Sequence, residues 1–204
     1  MKIAVLANEK VYQELTELSH QIVWLRVTSL ESLLQTNDVD VLINLNDDAG
    51  EGNYTSTTLP VFINSVSYTL KENNHSQNIL RINGWKGFLK RPSWEISGQI
   101  SKPHEALLSL LGKSFSLFAD EPGFVSARII AMIINEAYFA KEEQISTEAE
   151  IDTALKLGTN YPKGPFEWVK EIGPKNVYSL LKKLTSIDKR YSPSKSLEAE
   201  ALIP

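Results

Sequence analysis

The 204-residue chain contains no cysteine. Disulfides, thiolate metal centres and cysteine nucleophiles are therefore excluded. Its three histidines, His20, His75 and His104, lie far apart and form no local metal-ligand pattern, so no metal site is expected. Long apolar runs are missing as well. None approaches the roughly 20 residues that span a bilayer. The opening MKIAVLANEK reaches polar residues too early for a signal peptide. Nor is there an excess of positive charge: a formal net charge of −4 offers no electrostatic footprint for nucleic acid or an anionic membrane. No Gly-x-Ser-x-Gly elbow, His-x-x-x-His pair or P-loop occurs. These absences leave a soluble, cytoplasmic protein as the expectation.

What is present is organised in two parts. Residues 1–100 alternate short apolar runs with amphipathic segments. Strands are predicted at Ile3–Leu6, Gln21–Val27, Val39–Leu45, Leu59–Asn64, Asn78–Ile82 and Trp94–Ile100. Between them, Val11, Leu15 and Leu18 fit a helix, and Thr28 caps a short one with Glu31 three residues on. The Gly/Asn/Thr-rich stretch 47–58 reads as a surface loop. Pro103 opens a helix ending at Gly112, where His104 in the first turn is expected to be solvated, and Phe115–Phe118 forms a last strand. After Asp120-Glu-Pro-Gly-Phe124 the period becomes helical for good. Val125 to Ala137 is one long helix, and Ser146 or Thr147 caps another that Gly158 ends. Gly164-Pro165 starts a third, Val177–Leu184 a fourth, and the Pro193/Ser-rich tail is expected to be extended. The fold class is α/β: a mainly parallel sheet covered by helices over 1–119, then an all-α C-terminal domain over 120–204.

Four motifs follow one another in the second part: Asp120-Glu-Pro-Gly-Phe-Val-Ser-Ala-Arg128, Asp152-Thr-Ala-Leu-Lys-Leu-Gly158, Tyr161-Pro-Lys-Gly-Pro-Phe-Glu167 and Arg190-Tyr-Ser-Pro193. In this order and spacing they resemble the C-terminal helical domain of 3-hydroxyacyl-CoA dehydrogenases, including 3-hydroxybutyryl-CoA dehydrogenases. The first half fits a shortened, Rossmann-like form of that family's NAD-binding domain. The resemblance implies NAD-dependent oxidation of a 3-hydroxyacyl thioester of fatty-acid metabolism, in a homodimer joined through the helical domains.

The positions that carry this chemistry are altered. A dinucleotide site needs glycines after the first strand, so that backbone can approach the pyrophosphate. Ala7, Glu9 and Tyr12 stand there, and Arg26 stands where the second strand should end in an acid. The family uses a histidine just after a strand, oriented by a glutamate on the next strand, with an asparagine early in the long helix and a serine assisting. Alignment of Arg81-Ile-Asn-Gly-Trp-Lys-Gly-Phe88 puts Lys86 at the histidine and Gly98 at the glutamate, with Glu95 nearby. Ala127 takes the asparagine position, and Ser65 or Ser67 lies near the serine, with Val66 between them. Lys86, Lys90 and Arg91 form a basic cluster that could meet CoA phosphates, or a solubilising patch. His75, in a polar loop, is a remote catalytic candidate. Paired acids Asp47/Asp48 and Glu142/Glu143 read as solvated.

Chemistry is thus altered where the helical scaffold is kept. The expectation is a relative that has lost NAD binding and catalysis, with no cofactor, acting as a dimeric acyl-CoA-binding or partner-binding protein. The alternative is an active NAD-dependent dehydrogenase with divergent site residues. A third reading is a subunit that completes a site on another family member.

Overall fold

The computed structural model describes residues 1–203 and divides into two compact units, Met1–Phe124 and Val125–Pro204. The first unit is built on a seven-stranded sheet. Its strands are β1 (Lys2–Leu6), β2 (Val23–Val27), β3 (Val41–Asn44), β4 (Val61–Asn64), β5 (Ile79–Ile82), β6 (Ser93–Ser97) and β7 (Ser114–Leu117), in the order β2-β1-β3-β4-β5-β6-β7. All neighbours are parallel except β5 and β6. Strands β3, β4 and β5 are buried along their whole length, which explains why they read as unbroken apolar runs rather than alternating ones.

Helices α1 (Glu9–Thr16) and α3 (Lys102–Leu110) cover one face, packing Val11, Leu15, Leu107 and Leu108 onto Ile3, Val5, Phe62 and Leu80. The other face has less helix. Only α2 (Leu30–Leu34) lies there, and the segment after β3 completes the cover with Ala49 and Tyr54. Ser29, rather than Thr28, caps α2, because its hydroxyl accepts from the Ser32 amide at 3.1 Å and Ser32 answers. The expected surface loop 47–58 therefore contributes core residues and a short 3₁₀ turn, Ala49–Glu51.

His104 is buried, not solvated. Its ring meets Phe62 edge-on at 4.9 Å, and its Nδ1 lies 2.8 Å from the Ser101 hydroxyl at the start of α3. Burial pushes its pKa down to about 4, against the carbonyls of Val61 and Asn78, which favour the charged ring.

The segment 120–124 belongs to the sheet unit although its motif opens the helical part, and Arg81 is the reason. This residue, in the middle of β5, is fully buried. Its Nε faces Asp120 Oδ1 at 2.8 Å, Nη1 donates to the carbonyls of Ser65 and Tyr68 at 3.0 Å, and Nη2 donates to Glu121 O. The guanidinium also sits 4.7 Å from the centre of the Phe124 ring.

The second unit contains α4 (Val125–Glu142), α5 (Glu148–Thr159), α6 (Pro165–Ile172), α7 (Pro174–Thr185) and α8 (Lys195–Ala201). The tail is helical rather than extended: the Ser194 hydroxyl caps α8 through the Leu197 amide at 3.1 Å. Buried Asn135 on α4 fixes the approach to it, donating to Ser192 O and accepting from the Ser194 amide. Thr147 is the cap of α5. Gly158 lies inside α5, and Asn160, at φ 55°, closes the helix in its place. The glycine that matters is Gly164. Asp152 accepts from the Phe166 amide at 2.8 Å, binding the start of α6 to the body of α5. A Cβ on Gly164 would stand 2.3 Å from that carboxylate oxygen. Glu167 then turns back onto the Gly164 amide at 2.9 Å and pairs with Lys156. The connector is thus a lock between two helices.

Gly164→Ala is expected to cost about 1–3 kcal/mol, because the added methyl overpacks against Asp152. Gly158→Ala, with open space around it, should stabilise by about 0.5–1 kcal/mol. Urea unfolding of both variants measures the contrast. Folding stability should also fall as pH drops from about 6.5 towards 4. In that window His104 takes up a proton only when unfolded, so the unfolded state binds more protons and gains. The loss approaches about 3 kcal/mol, and a His104→Gln variant should lack that share of the slope in urea titrations at graded pH.

Candidate functional site

A sheet of this kind binds ligands outside the carboxyl ends of its parallel strands. Beyond β1, Asn8 caps α1 by accepting from the Val11 amide at 3.0 Å. Glu9 in the first turn pairs with Arg26 at the end of β2. Arg26 Nε also donates to Ala7 O at 3.3 Å, and its guanidinium lies 5.6 Å from the Tyr12 ring centre. The structure therefore gathers Ala7, Glu9, Tyr12 and Arg26, and Arg26 is what joins them. Sequence reading finds these four positions, but not that they satisfy one another.

At the carboxyl ends of β3, β4 and β5 runs a row of asparagines, each preceded by isoleucine: Ile43-Asn44, Ile63-Asn64 and Ile82-Asn83. All three asparagines are buried. Asn44 donates to the Tyr54 hydroxyl at 2.8 Å, and Tyr54 passes the bond to Ala49 O. Burial raises the Tyr54 pKa; the bond from Asn44 opposes that rise, and the Asp48 charge adds to it. Asn64 accepts from the Gly84 amide at 3.1 Å, where a Cβ on residue 84 would meet the Asn64 side chain at 2.9 Å. Asn83 follows β5 directly and donates to Glu95 Oε2 on β6 at 3.0 Å. The repeated Ile-Asn pair is a sequence signal that the apolar-run reading passes over.

The antiparallel register decides which side chains of β5 and β6 can meet. Arg81 faces Ser97 and Ile82 faces Ile96, so the next pair is Asn83 with Glu95. Gly98 lies beyond that ladder, against Ile79 O at the start of β5, whereas Lys86 comes after the strand's other end. Lys86 and Gly98 are not brought together. Ser65 donates to Tyr68 O at 2.8 Å and is buried, while Ser67 is half-buried in the same loop. Ala127 is buried on α4, where a methyl group cannot polarise a substrate oxygen. The basic cluster is engaged: Lys90 lies 3.7 Å from Glu17, and Arg91 stacks 3.9 Å over Phe88 near the Glu95 charge. His75 is half-buried, with Nε2 2.9 Å from Gly50 O and its ring against Tyr54. Glu142 is not free in solvent, since it accepts from the Ser196 amide. Among the described residues no group of three His, Asp or Glu could hold a metal, and no helix is long and apolar enough to cross a membrane.

Residues 123–201 match the family model of the 3-hydroxyacyl-CoA dehydrogenase C-terminal domain. The helical unit is thus similar to the C-terminal domain of 3-hydroxyacyl-CoA dehydrogenases. The chain is 40% identical over 94 residues to a 3-hydroxyadipyl-CoA dehydrogenase of Escherichia coli, a match covering 45% of this chain and 20% of that protein. The structure of a 3-hydroxybutyryl-CoA dehydrogenase from E. coli K12 superposes with a TM-score of 0.58 at 30% identity, over 69% of this chain and 31% of that one. The (S)-3-hydroxybutyryl-CoA dehydrogenase of Ralstonia eutropha shares the fold at a TM-score of 0.62 and 22% identity, over 86% of this chain and 69% of that one. The chain spans no more than about a third of the curated relatives it matches first. Against the NAD that the family resemblance implies, the β1–α1 turn of this 3-hydroxyacyl-CoA dehydrogenase relative fits poorly. It has no glycine to admit a pyrophosphate, and a carboxylate occupies its first helical turn.

An imidazole introduced by Asn83→His should titrate above the ordinary 6.5, because the Glu95 carboxylate favours its charged form. Adding Glu95→Gln should remove the rise, and Lys86→His should titrate without it. Proton NMR of the ring resonances across pH measures all three.

Proposed function

We propose that this chain binds an acyl-CoA thioester without using NAD and without oxidising it. The observation that carries the reading is Asn83 donating to Glu95. It stands just after one strand and is held by a glutamate on the next, the arrangement that the family resemblance gives to a histidine and its orienting acid. A carboxamide neither gains nor loses a proton near neutral pH, so it cannot act as the general base of a hydroxyl oxidation. It can still hydrogen-bond a carbonyl or hydroxyl oxygen. The changes at Ala127 and around Arg26 point the same way, since they remove a second polar contact and the glycine turn. The ligand class comes from the helical unit, whose similarity is to dehydrogenases of CoA esters. That unit is also where we place a homodimer contact.

Calorimetric titration with acetoacetyl-CoA, paired with an absorbance assay for NADH consumption, tests the reading. Saturable heat without consumption of NADH is expected. Turnover of NADH would overturn the loss of catalysis, and absence of heat would overturn the ligand.

A further inference from the structure

Strand β2 ends the sheet on one side, and its outer edge is unguarded. Its sequence is Val23-Trp-Leu-Arg-Val27, with no proline or lysine and no bulge in its pairing with β1. The five-residue α2 leaves two apolar side chains of this strand in solvent: Val23 is 61% exposed and Leu25 38%. The opposite edge, β7, is short and preceded by Lys113. The β2 edge thus has the features of a surface that another strand covers.

The hydrogen-bond phase identifies which strand would fit. The Val23 amide donates to Met1 O at 3.0 Å, so Val23, Leu25 and Val27 turn their backbone groups towards β1. Those of Trp24 and Arg26 point outward. An antiparallel partner must therefore pair with residues 24 and 26. A second copy of β2 does so when the two-fold axis passes Leu25. Trp24 of each copy then forms a hydrogen-bonded pair with Arg26 of the other, four bonds in all by this pattern. Leu25 faces its own copy, and Val23 faces Val27, in the close pairs without hydrogen bonds. On one face Trp24 lies opposite Arg26, whose guanidinium keeps its partners Glu9 and Ala7 O within its own chain. On the other, the exposed valine and leucine side chains join into one apolar strip. Like charges do not collide across the axis, because Glu9 already neutralises Arg26. The strand is complementary to itself in hydrogen bonds, in side chains and in charge.

We infer that two copies of this chain associate edge to edge through β2, extending the sheet across a two-fold axis at Leu25. The contact is independent of the ligand reading above and of any contact made by the helical unit.

The absence of native cysteine allows a direct test on the full chain. Leu25→Cys places one thiol at the axis, in a non-hydrogen-bonded antiparallel pair whose close spacing suits a disulfide. Mild oxidation should convert most of this variant to a species of doubled mass, released by reductant. Leu117→Cys, on the other edge and 53% exposed in the native protein, should stay monomeric on the same non-reducing gel. A variant that keeps the thiol out of the question, Leu25→Lys, should lower the sedimentation coefficient of the native assembly by opposing two ammonium groups. Failure of Leu25→Cys to cross-link in excess of Leu117→Cys, or an unchanged sedimentation coefficient for folded Leu25→Lys, would overturn the inference.

Discussion

Burying a guanidinium in the middle of a strand is costly unless its five donors and its charge are met. Arg81 draws in two separate pieces of chain. Ser65 and Tyr68 supply carbonyls from the loop after β4, while Asp120 and Glu121 come from the segment after β7. Asp120 in turn accepts from the amides of Leu70 and Lys71 at 3.0 Å, so its carboxylate holds the same loop from the other side. The carboxyl ends of β4 and β5 are therefore fixed before any ligand is considered. The positions of Asn64 and Asn83 follow from that constraint.

The same self-sufficiency holds at the carboxyl ends of β1, β2 and β3. Arg26 finds its partners in Ala7, Glu9 and Tyr12, and Asn44 in Tyr54. Side chains at these strand ends bind neighbouring loops and one another. A dehydrogenase needs the reverse there: bare glycine backbone, unneutralised donors and a titratable base. In the helical unit Ala127 departs as well, yet Gly164, Asp152 and Glu167 form a lock that serves folding.

Much of the fold was legible in the sequence. Apolar runs located all seven strands, and the period change at Asp120–Phe124 marked the second part. What could not be read was tertiary. The Ser194 cap turns a Pro/Ser-rich tail into α8, and only its junction with Asn135 explains why it folds. His104 sits among polar neighbours in sequence yet lies under α3, against Phe62. The expectation for Lys86 and Gly98 counted residues along the chain, but the β5–β6 register pairs Asn83 with Glu95 instead. The four positions around Arg26 were identified from the glycines they lack. Their mutual contacts depend on β1 and β2 lying side by side in parallel, which a single strand pattern does not reveal.

We propose that the carboxyl ends of these strands hold themselves together in place of a nucleotide. Trp24 lies on β2 two residues before Arg26, so it would report a bound nicotinamide dinucleotide. Energy transfer from tryptophan to NADH, measured as NADH is titrated into the purified protein, addresses the claim directly. The account predicts no saturable transfer through micromolar concentrations. Saturable transfer at one NADH per chain, reversed by excess NAD⁺, would contradict it.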